Sequence, residues 1–253
     1  MSVEVLRAAV LDGVPHGFLG RRGGVSTGVH AGLNVGFGSD DERDAILHNR
    51  DLARDAVLPG STLVTLHQVH SADVVTVTAP IPLDARPHAD ALVTNRPGLL
   101  LGILTADCVP ILFADAMRGV VGAAHAGWKG ALGGVAEATL DAMTALGAER
   151  DAIACAIGPC IGRASYEVSE GFERPFLARD EDDARFFSAG RTGHLQFDIA
   201  GYVAARLAAA GVSRIALLDE DTCSQPTRFF SYRRACLTGE PGYGRQISLI
   251  GLG

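Results

Sequence analysis

The chain has 253 residues, enough for one large domain or two small ones, and 47% of them are hydrophobic, which suits a substantial buried core. Its 22 basic and 29 acidic side chains leave a net charge of −7 at pH 7, which excludes a general attraction to nucleic acid or to an anionic membrane surface. The first residues lack the basic and apolar regions of a signal peptide, and no apolar run approaches the ~20 residues of a membrane span, so we expect a cytoplasmic protein. Five widely spaced cysteines favour free thiols, so we expect no structural disulfide.

A glycine-rich stretch, residues 16–41, predicts a long structured loop after a short opening strand. Its glycines permit positive φ angles and close backbone approach, and Arg22 and Asn34 lie among them. Such a loop could hold a phosphate or a nucleoside, or it could consist of tight turns with solvated arginines. The local sequence leaves both interpretations open, because glycine-rich loops are a weak signal.

The middle of the chain predicts a surface helix followed by several strands. Residues 40–57 have acidic residues at their start and apolar residues at helical spacing. β-Prone and apolar runs predict strands at residues 62–66, 73–78, 91–94, 99–105, 111–113 and 120–124. Residues 128–146 then have the longest helical pattern, which Gly147 would end. Because this helix would begin just after His125, its free N–H groups and Lys129 could together hold an anion.

The rest of the chain mixes both kinds of element. We expect a strand at residues 152–157, a weak helix at 170–177, an amphipathic helix at 198–210 and strands at 214–218 and 247–252. The acidic run at residues 179–185 predicts a solvated connection, and residues 228–234 form an aromatic and arginine cluster. The absence of a regular βαβ rhythm and of a linker indicates a single α+β domain, residues 1–253, with mixed sheets.

A cysteine and a histidine stand where predicted buried strands meet loops, positions at which ligands and catalytic groups gather. Cys108 follows the run at residues 99–105, and His125 closes the run at 120–124. They are much farther apart in sequence than the ligands of a zinc-finger knuckle, so a shared metal would be assembled by the fold. The HQVH segment could supply the third ligand, either His70 or His67, to complete a zinc tripod.

These residues also have ordinary explanations, because a buried cysteine commonly packs as a small hydrophobe and a lone histidine is commonly hydrogen-bonded structure. If the tripod forms, three protein ligands leave the fourth position of a tetrahedral zinc ion open, as in catalytic sites. Asp107 could then act as a general acid or base, or orient a ligand. Copper is the alternative metal, with Met117 or Met143 as a weak axial ligand.

Six ordered blocks extend these local patterns over nearly the whole chain: RRGGVSTG with GLNVG, QVHSADV, TADCVPILFAD, HAGWKG, GPCIG with SYEV, and FFSYRR. In this order they resemble the family once called multicopper polyphenol oxidases or laccase-domain proteins. Members of that family are described as zinc-dependent purine nucleoside phosphorylases that also deaminate adenosine. The resemblance implies an α+β fold with α/β/β/α layers, and bacterial members are also linked with peptidoglycan editing.

The resemblance also implies site residues. The family's metal ligands fall on His70, Cys108 and His125, which favours His70 over His67. We take Cys108, Asp107 and His125 as the candidate catalytic residues, with Asp107 as a candidate proton carrier. Adenosine, inosine or methylthioadenosine would react with phosphate to give the free base and the sugar 1-phosphate, and adenosine would also be deaminated to inosine.

Substrate-binding residues are our own inference from the matching blocks. Arg22, Lys129 and Arg233 are the basic residues available there to hold phosphate, and Asn34 is a further candidate for substrate contact. Ion pairs at the surface are the alternative for the three basic residues. One departure is visible: where many relatives carry a cysteine close to the tyrosine of YEV, this chain has RAS, which leaves Cys160 as a packing residue.

The sequence therefore leaves three function hypotheses. The first is a cytoplasmic zinc enzyme that acts on purine nucleosides and phosphate, with no nucleic-acid or membrane partner and with its oligomeric state open. The second is a copper-dependent polyphenol oxidase. The third is a hydrolase that edits a cell-wall precursor, with the zinc site or Cys108 as its source of a nucleophile.

Overall fold

Long apolar runs in the chain form the central strands of two sheets that pack face to face. The computed structural model describes residues 2–253, so the first residue of the predicted domain lies outside the described part. The strands are β1 (Val5–Leu6), β2 (His16–Leu19), β3 (Thr62–Thr65), β4 (Val74–Thr76), β5 (Ala91–Thr94), β6 (Leu99–Thr105), β7 (Val109–Asp115), β8 (Val120–Ala126), β9 (Ala154–Ile157), β10 (Glu167–Ser169), β11 (Phe187–Ala189), β12 (His194–Phe197), β13 (Arg214–Leu217) and β14 (Gln246–Gly251). The α-helices are α1 (Arg43–Val57), α2 (Trp128–Gly133), α3 (Val135–Ala145), α4 (Arg174–Leu177), α5 (Ile199–Ala209) and α6 (Tyr232–Thr238).

The two large sheets are both mixed. The first has the strand order β1-β2-β14-β6-β3, and the second has the order β13-β9-β7-β8-β5-β4. In the first sheet β3 runs parallel to β6, and in the second β4 runs parallel to β5 and β13 to β9, whereas the central pairs are antiparallel. A small third sheet, β10-β12-β11, lies outside this pair in the strand order.

Three apolar cores separate four layers. Side chains alternate between the two faces of a strand, so Leu101 of β6 joins the core between the sheets while Leu100 joins the core that includes Val57 of α1. On the other face of the six-stranded sheet, Phe113 of β7 shares a core with Leu140 of α3 and residues of α5. The layers thus run α/β/β/α, which confirms the predicted fold class.

The predicted helix over residues 128–146 is two helices. Gly134 lies between α2 and α3 with a φ of 92°, a left-handed conformation that glycine adopts without the usual penalty. The interpretation of one long helix was therefore wrong, because the apolar spacing continues across a residue whose backbone does not. As a result α2 is a short unit of six residues that carries Trp128 and Lys129.

One other prediction needs correction, and one helix was missed. Residues 16–19, assigned to the glycine-rich loop, form the fully buried strand β2. The acidic run at 179–185 is exposed, as predicted, except at Asp183, which is 4% exposed and lies in the 3₁₀-helix Glu181–Phe186. Helix α6 was not predicted at all. It begins after Ser231, whose side chain accepts a hydrogen bond from the backbone N–H of Arg234.

Candidate metal centre and its flanking cavities

Three side chains with metal-binding atoms meet at one edge of the sheets. His70 lies in the loop after β3, Cys108 lies between β6 and β7, and His125 lies near the end of β8. Their ligand atoms all lie within 4.8 Å of one another, and Cys108 Sγ is 3.8 Å from His70 Nε2. His67 does not join the group, because its ring packs against His88 at 4.4 Å between centroids. The predicted tripod of His70, Cys108 and His125 is therefore assembled by the fold.

A buried carboxylate, Asp90, holds two of the three ligands in place. Its Oδ1 pairs with His125 Nδ1 at 2.7 Å, while its Oδ2 accepts hydrogen bonds from the backbone N–H groups of Val69 and Ser71, on either side of His70. Asp90 is fully buried. Burial favours its neutral form, but these hydrogen bonds and the nearby His125 outweigh that effect and lower the pKa of Asp90 to about 2.

Sequence analysis missed Asp90. The local signal was an acidic residue directly before the buried strand β5, a position where a charge must have a partner. Histidine ligands commonly donate their second ring N–H to such a carboxylate, which fixes the tautomer and the orientation of the ring. In this site the Asp90 bond to Nδ1 leaves Nε2 of His125 free to face the other two ligands.

Cys108 and His125 carry opposite charges in the metal-free site, so a metal ion would bind the thiolate and displace the proton of His125. Burial opposes the thiolate, but His125 and His70 outweigh burial and lower the pKa of Cys108 to about 6. Burial also opposes the imidazolium, but Cys108 and Asp90 raise the pKa of His125 to about 9. The thiolate is the form that binds metals. By contrast, burial raises the pKa of Cys160 above its ordinary value, which agrees with packing as its role.

The donor set fits zinc better than copper. Zinc bonds of about 2.3 Å to sulfur and about 2.0 Å to nitrogen place tetrahedral ligands roughly 3.5 Å apart, close to the observed separation of Cys108 and His70. A blue-copper site would need a weak axial ligand. Met117 is 91% exposed and Met143 is buried in the core of α3, and neither lines a cavity beside the tripod. A tetrahedral ion held by these three ligands would keep one coordination position open.

A glycine makes room for the tripod. A Cβ atom at Gly127 would lie 2.5 Å from His70 Cδ2 and 3.3 Å from Cys108 Sγ. The first distance is far below van der Waals contact, so any side chain at this position would displace the His70 ring. Gly127 has a φ of −68°, which any residue can adopt, and its requirement for glycine is therefore steric.

Two cavities adjoin at the tripod and share four lining residues, His70, Ala106, Cys108 and Tyr232. The smaller, of about 400 Å³, has aromatic and apolar walls with two cations at its rim. Its other lining residues are Val69, Asp107, Gly127, Trp128, Lys129, Ile161, Tyr166, Ile199 and Arg233. The larger, of about 590 Å³, is lined by the glycine-rich loop at Gly36, Phe37 and Gly38 and by two arginines, Arg86 and Arg245. We call these the aromatic cavity and the arginine cavity.

The aromatic walls are held rigidly. Trp128 packs edge-on against Phe172 at 5.1 Å, and Tyr166 packs against Phe197 at 5.5 Å. Both contacts belong to an aromatic cluster that also contains Phe176, Phe187 and Tyr202. Burial raises the pKa of the Tyr166 hydroxyl, which therefore stays protonated and able to donate a hydrogen bond. Such a cavity suits a flat heteroaromatic ring.

Asp107 lines the aromatic cavity, but both of its oxygens already have partners. Thr222 Oγ1 donates to Oδ1 at 2.7 Å, while Ser231 Oγ and the backbone N–H of Arg233 donate to Oδ2 at 2.9 and 2.6 Å. Its backbone has a φ of 86°, which is unusual for a residue other than glycine. Through the bonds from Ser231 and Arg233, Asp107 holds the start of α6 beside the cavities, and with it Tyr232 and Arg233.

The structure does not bring all the predicted substrate residues to the cavities. Lys129 and Arg233 line the aromatic cavity. Arg22 pairs with Glu4 at 3.3 Å, and its Nε donates to the carbonyl of Thr227. Asn34 is fully buried, and its side-chain amide donates to Ser39 and Asp41. Neither Arg22 nor Asn34 lines either cavity.

Comparison with known proteins gives consistent matches over nearly the full chain. Residues 15–253 match the family described as multi-copper polyphenol oxidoreductase laccase. A purine nucleoside phosphorylase of Deinococcus radiodurans is 42% identical over 251 residues, covering 99% of this chain and 94% of that protein. Another, from Streptomyces griseus, is 39% identical over 241 residues and covers 94% of this chain and 96% of its own length.

Solved structures agree with this result. The crystal structure of YlmD from Geobacillus stearothermophilus superposes with a TM-score of 0.89 at 32% identity, covering 98% of this chain and 96% of that one. A Neisseria meningitidis protein superposes with a TM-score of 0.89 at 30% identity and covers 100% of this chain and 99% of its own. The similarity therefore includes both large sheets and the strand ends that carry the tripod.

Proposed function

Since this chain belongs to the multi-copper polyphenol oxidoreductase laccase family, and its relatives at 39–42% identity are named purine nucleoside phosphorylases, we propose that it is a zinc-dependent purine nucleoside phosphorylase. Adenosine, inosine and methylthioadenosine are the proposed substrates, with phosphate as the second substrate. The products are the free base and the sugar 1-phosphate. Deamination of adenosine is the proposed second activity of the same site. The observation that carries the proposal is the tripod of His70, Cys108 and His125 at the junction of two cavities.

His70, Cys108 and His125 would hold the zinc ion. When bound, zinc supplies Lewis acidity at an open coordination position, which suits both phosphorolysis and hydrolytic deamination. Asp90 orients His125 and the backbone around His70, so the geometry of the ligands does not depend on the substrate. Copper is the family name's alternative, and the tripod offers it no axial methionine among the described residues.

The aromatic cavity would bind the purine. Trp128 and Tyr166 offer ring faces and edges for stacking, and the protonated Tyr166 hydroxyl can donate to a ring nitrogen or an exocyclic oxygen. Lys129 and Arg233 bring positive charge to the same cavity, where they would contact the purine and the ribose. A purine leaving group gains electron density as its glycosidic bond breaks, so nearby cations and donors favour that transition state.

Arg22 and Asn34 remain part of the proposal only as indirect contributors. Arg22 is engaged with Glu4, and Asn34 is buried, so neither is placed to touch a substrate in the aromatic cavity. Asp107 likewise is a positioning residue in this proposal, because all its hydrogen bonds go to Thr222 and to the start of α6.

Compartment, partners and domain organisation are also part of the proposal. None of the helices in residues 2–253 is long and apolar enough to cross a membrane. The five cysteines are free thiols, which suits a reducing compartment, and we propose the cytoplasm. The proposed partners are small molecules, with no nucleic acid, because the net charge is −7. We also propose that residues 1–253 form one domain, since each of the two large sheets contributes to two cores.

The proposal is tested by metal analysis and turnover on the same preparation. We expect about one zinc ion per chain and adenine release from adenosine only when phosphate is present, and Cys108→Ala should abolish both. Inosine formation without phosphate would support the deaminase activity. Stoichiometric copper with oxygen consumption on phenols would establish the oxidase instead. Zinc without nucleoside turnover would reject the phosphorylase and direct the search to the cell-wall precursors.

A further inference from the structure

The arginine cavity carries positive charge that no carboxylate balances. Arg86 and Arg245 line it directly, and Arg50 lies behind Phe37, with its guanidinium 5.1 Å from the centre of that ring. None of the residues that line the cavity is acidic. Among residues 2–253, no ion pair joins Arg50, Arg86 or Arg245 to a carboxylate.

Neutral acceptors hold these three side chains in place. Arg50 donates to the carbonyl of Val35 and to Thr65 Oγ1, and Arg86 donates to the carbonyls of Leu83 and Leu66. Arg245 Nη2 donates to the Tyr243 hydroxyl. Such bonds fix the direction of a guanidinium but leave it without a carboxylate partner; Arg86 and Arg245 are half-buried where they line the cavity, and Arg50 is buried behind them. An anion in the cavity would give these charges a partner.

The glycine-rich loop supports Arg245. Asn34 Oδ1 accepts a hydrogen bond from its backbone N–H at 2.9 Å. Gly36 packs along its stem, where a Cβ atom would lie only 3.0 Å from Arg245 Cδ. Its Nη1 atom is buried and has no hydrogen-bond partner. The glycine-rich loop thus builds a support for one guanidinium and leaves one of its donors available.

The charges also repel one another. Burial lowers the pKa of Arg50 to about 10, and the nearby Arg86 adds to that effect. Burial and then Arg43 lower the pKa of Arg86 in the same way. A guanidinium group can bind a phosphate group through two parallel N–H donors at once.

We propose that inorganic phosphate binds in the arginine cavity, between Arg86 and Arg245, next to the aromatic cavity that would hold the purine. This inference rests on the proposed phosphorylase function and deepens it. It replaces Arg22 with Arg86 and Arg245 as the phosphate contacts, and it leaves Lys129 and Arg233 to the nucleoside. Asn34 keeps a role as the residue that positions Arg245.

The two cavities suggest how phosphate would approach the ribose. His70 and Cys108 line both cavities, so a ribose at this junction could reach the purine in the aromatic cavity and phosphate in the arginine cavity. A phosphate oxygen attacks C1′ of the ribose, the C1′–N9 bond breaks, and its electron pair leaves with the purine. The proton of hydrogen phosphate is transferred to the purine nitrogen, so that atoms and charges balance. If phosphate attacks the face of C1′ opposite the purine, the sugar 1-phosphate forms with inversion at C1′.

The test separates the Michaelis constant for phosphate from that for adenosine in zinc-loaded protein. Arg86→Gln and Arg245→Gln should each raise the KM for phosphate about 10- to 100-fold, the range expected for loss of a charge-assisted hydrogen bond, and change the KM for adenosine much less. Arg233→Gln should do the reverse. Arg96→Gln is the matched control, because Arg96 is exposed and lines neither cavity.

Calorimetric titration with inorganic phosphate gives a second readout that needs no turnover. Loss of phosphate binding in the Arg86 and Arg245 variants, with binding kept in Arg96→Gln, supports the site even if the wild type releases no base, in which case the phosphorylase proposal fails alone. Arg245→Lys keeps the charge and should bind phosphate at an intermediate level, which distinguishes a lost contact from a misfolded variant. Unchanged phosphate binding in both Gln variants, with loss in Arg233→Gln, would overturn the inference and place phosphate in the aromatic cavity.

Discussion

Replacing Asp90 with asparagine should loosen zinc without removing any ligand. The change keeps one oxygen that can accept from the backbone N–H groups of Val69 and Ser71. The new amide then faces His125 Nδ1 with a donor, where the carboxylate accepted a hydrogen bond at 2.7 Å. To relieve this clash of donors, the ring would carry its proton on Nε2, the atom that the metal needs.

The size of the effect follows from the single bond that is lost. A buried hydrogen bond between imidazole and carboxylate contributes about 1.5–3 kcal/mol, and loss of such a partner commonly weakens metal binding about 10- to 100-fold. We therefore expect zinc affinity to fall by that factor, as measured by competition with a chromogenic chelator at pH 7.

Asp115→Asn is the matched control for this variant. Asp115 is also buried, and its carboxylate accepts from the backbone N–H groups of Met117, Arg118 and Glu149, far from the tripod. It should lose stability but keep the affinity for zinc. Equal zinc affinity in Asp90→Asn and wild type would refute the argument, and so would an equal loss in Asp115→Asn.

Three further predictions concern the same site. Gly127→Ala should lower zinc affinity about tenfold or more, because its Cβ would lie 2.5 Å from His70 Cδ2. Gly133→Ala is the control and should not lower it, because its Cβ would meet nothing closer than 3.8 Å. Chelator competition measures the zinc affinity of both variants. His70→Ala should abolish zinc binding and His67→Ala should spare it, and equal metal contents in the two purified variants would contradict our choice of ligand. In the metal-free protein, the depressed pKa of Asp90 should contribute about 2 kcal/mol of stability above pH 4, and this contribution should disappear as the pH falls through about 2. Denaturant unfolding of wild type and Asp90→Asn should therefore differ at pH 7 and converge near pH 2, and a constant difference would contradict the assignment.

The sequence predicted best those elements whose pattern is local. Strands β5 and β6 match the predicted bounds, because continuous apolar runs flanked by polar residues leave few other conformations. The helix over residues 128–146 failed for a backbone reason, since Gly134 adopts a left-handed φ that side-chain periodicity does not report. Helix α6 failed for a tertiary reason, since its first residues are held by Asp107, more than 120 residues earlier in the chain.

The residues of the site also fall into those with a local sequence signal and those that only tertiary contacts bring together. The two ligands Cys108 and His125 could be proposed from their places at strand ends, and the choice of His70 over His67 needed the resemblance to a family. Asp90 could not be found from spacing, because its partners lie in a loop before it and on a strand after it. Arg86 and Arg245 are separated by most of the chain and become neighbours of one cavity only through the β14–β6 pairing and the loop at Gly36.

The turn at Ala106, Asp107 and Cys108 connects the tripod with both cavities. A positive φ at a residue other than glycine costs roughly 1–3 kcal/mol, and Asp107 sustains it because Thr222, Ser231 and the N–H of Arg233 all donate to its carboxylate. That turn places Cys108 between the cavities, and the same carboxylate brings α6, with Tyr232 and Arg233, to their walls. The hydrogen bonds that sustain the positive φ of Asp107 are therefore the same ones that position α6. Because these three hydrogen bonds hold two walls together, we expect Asp107 to shape the site and the tripod to supply its reactivity.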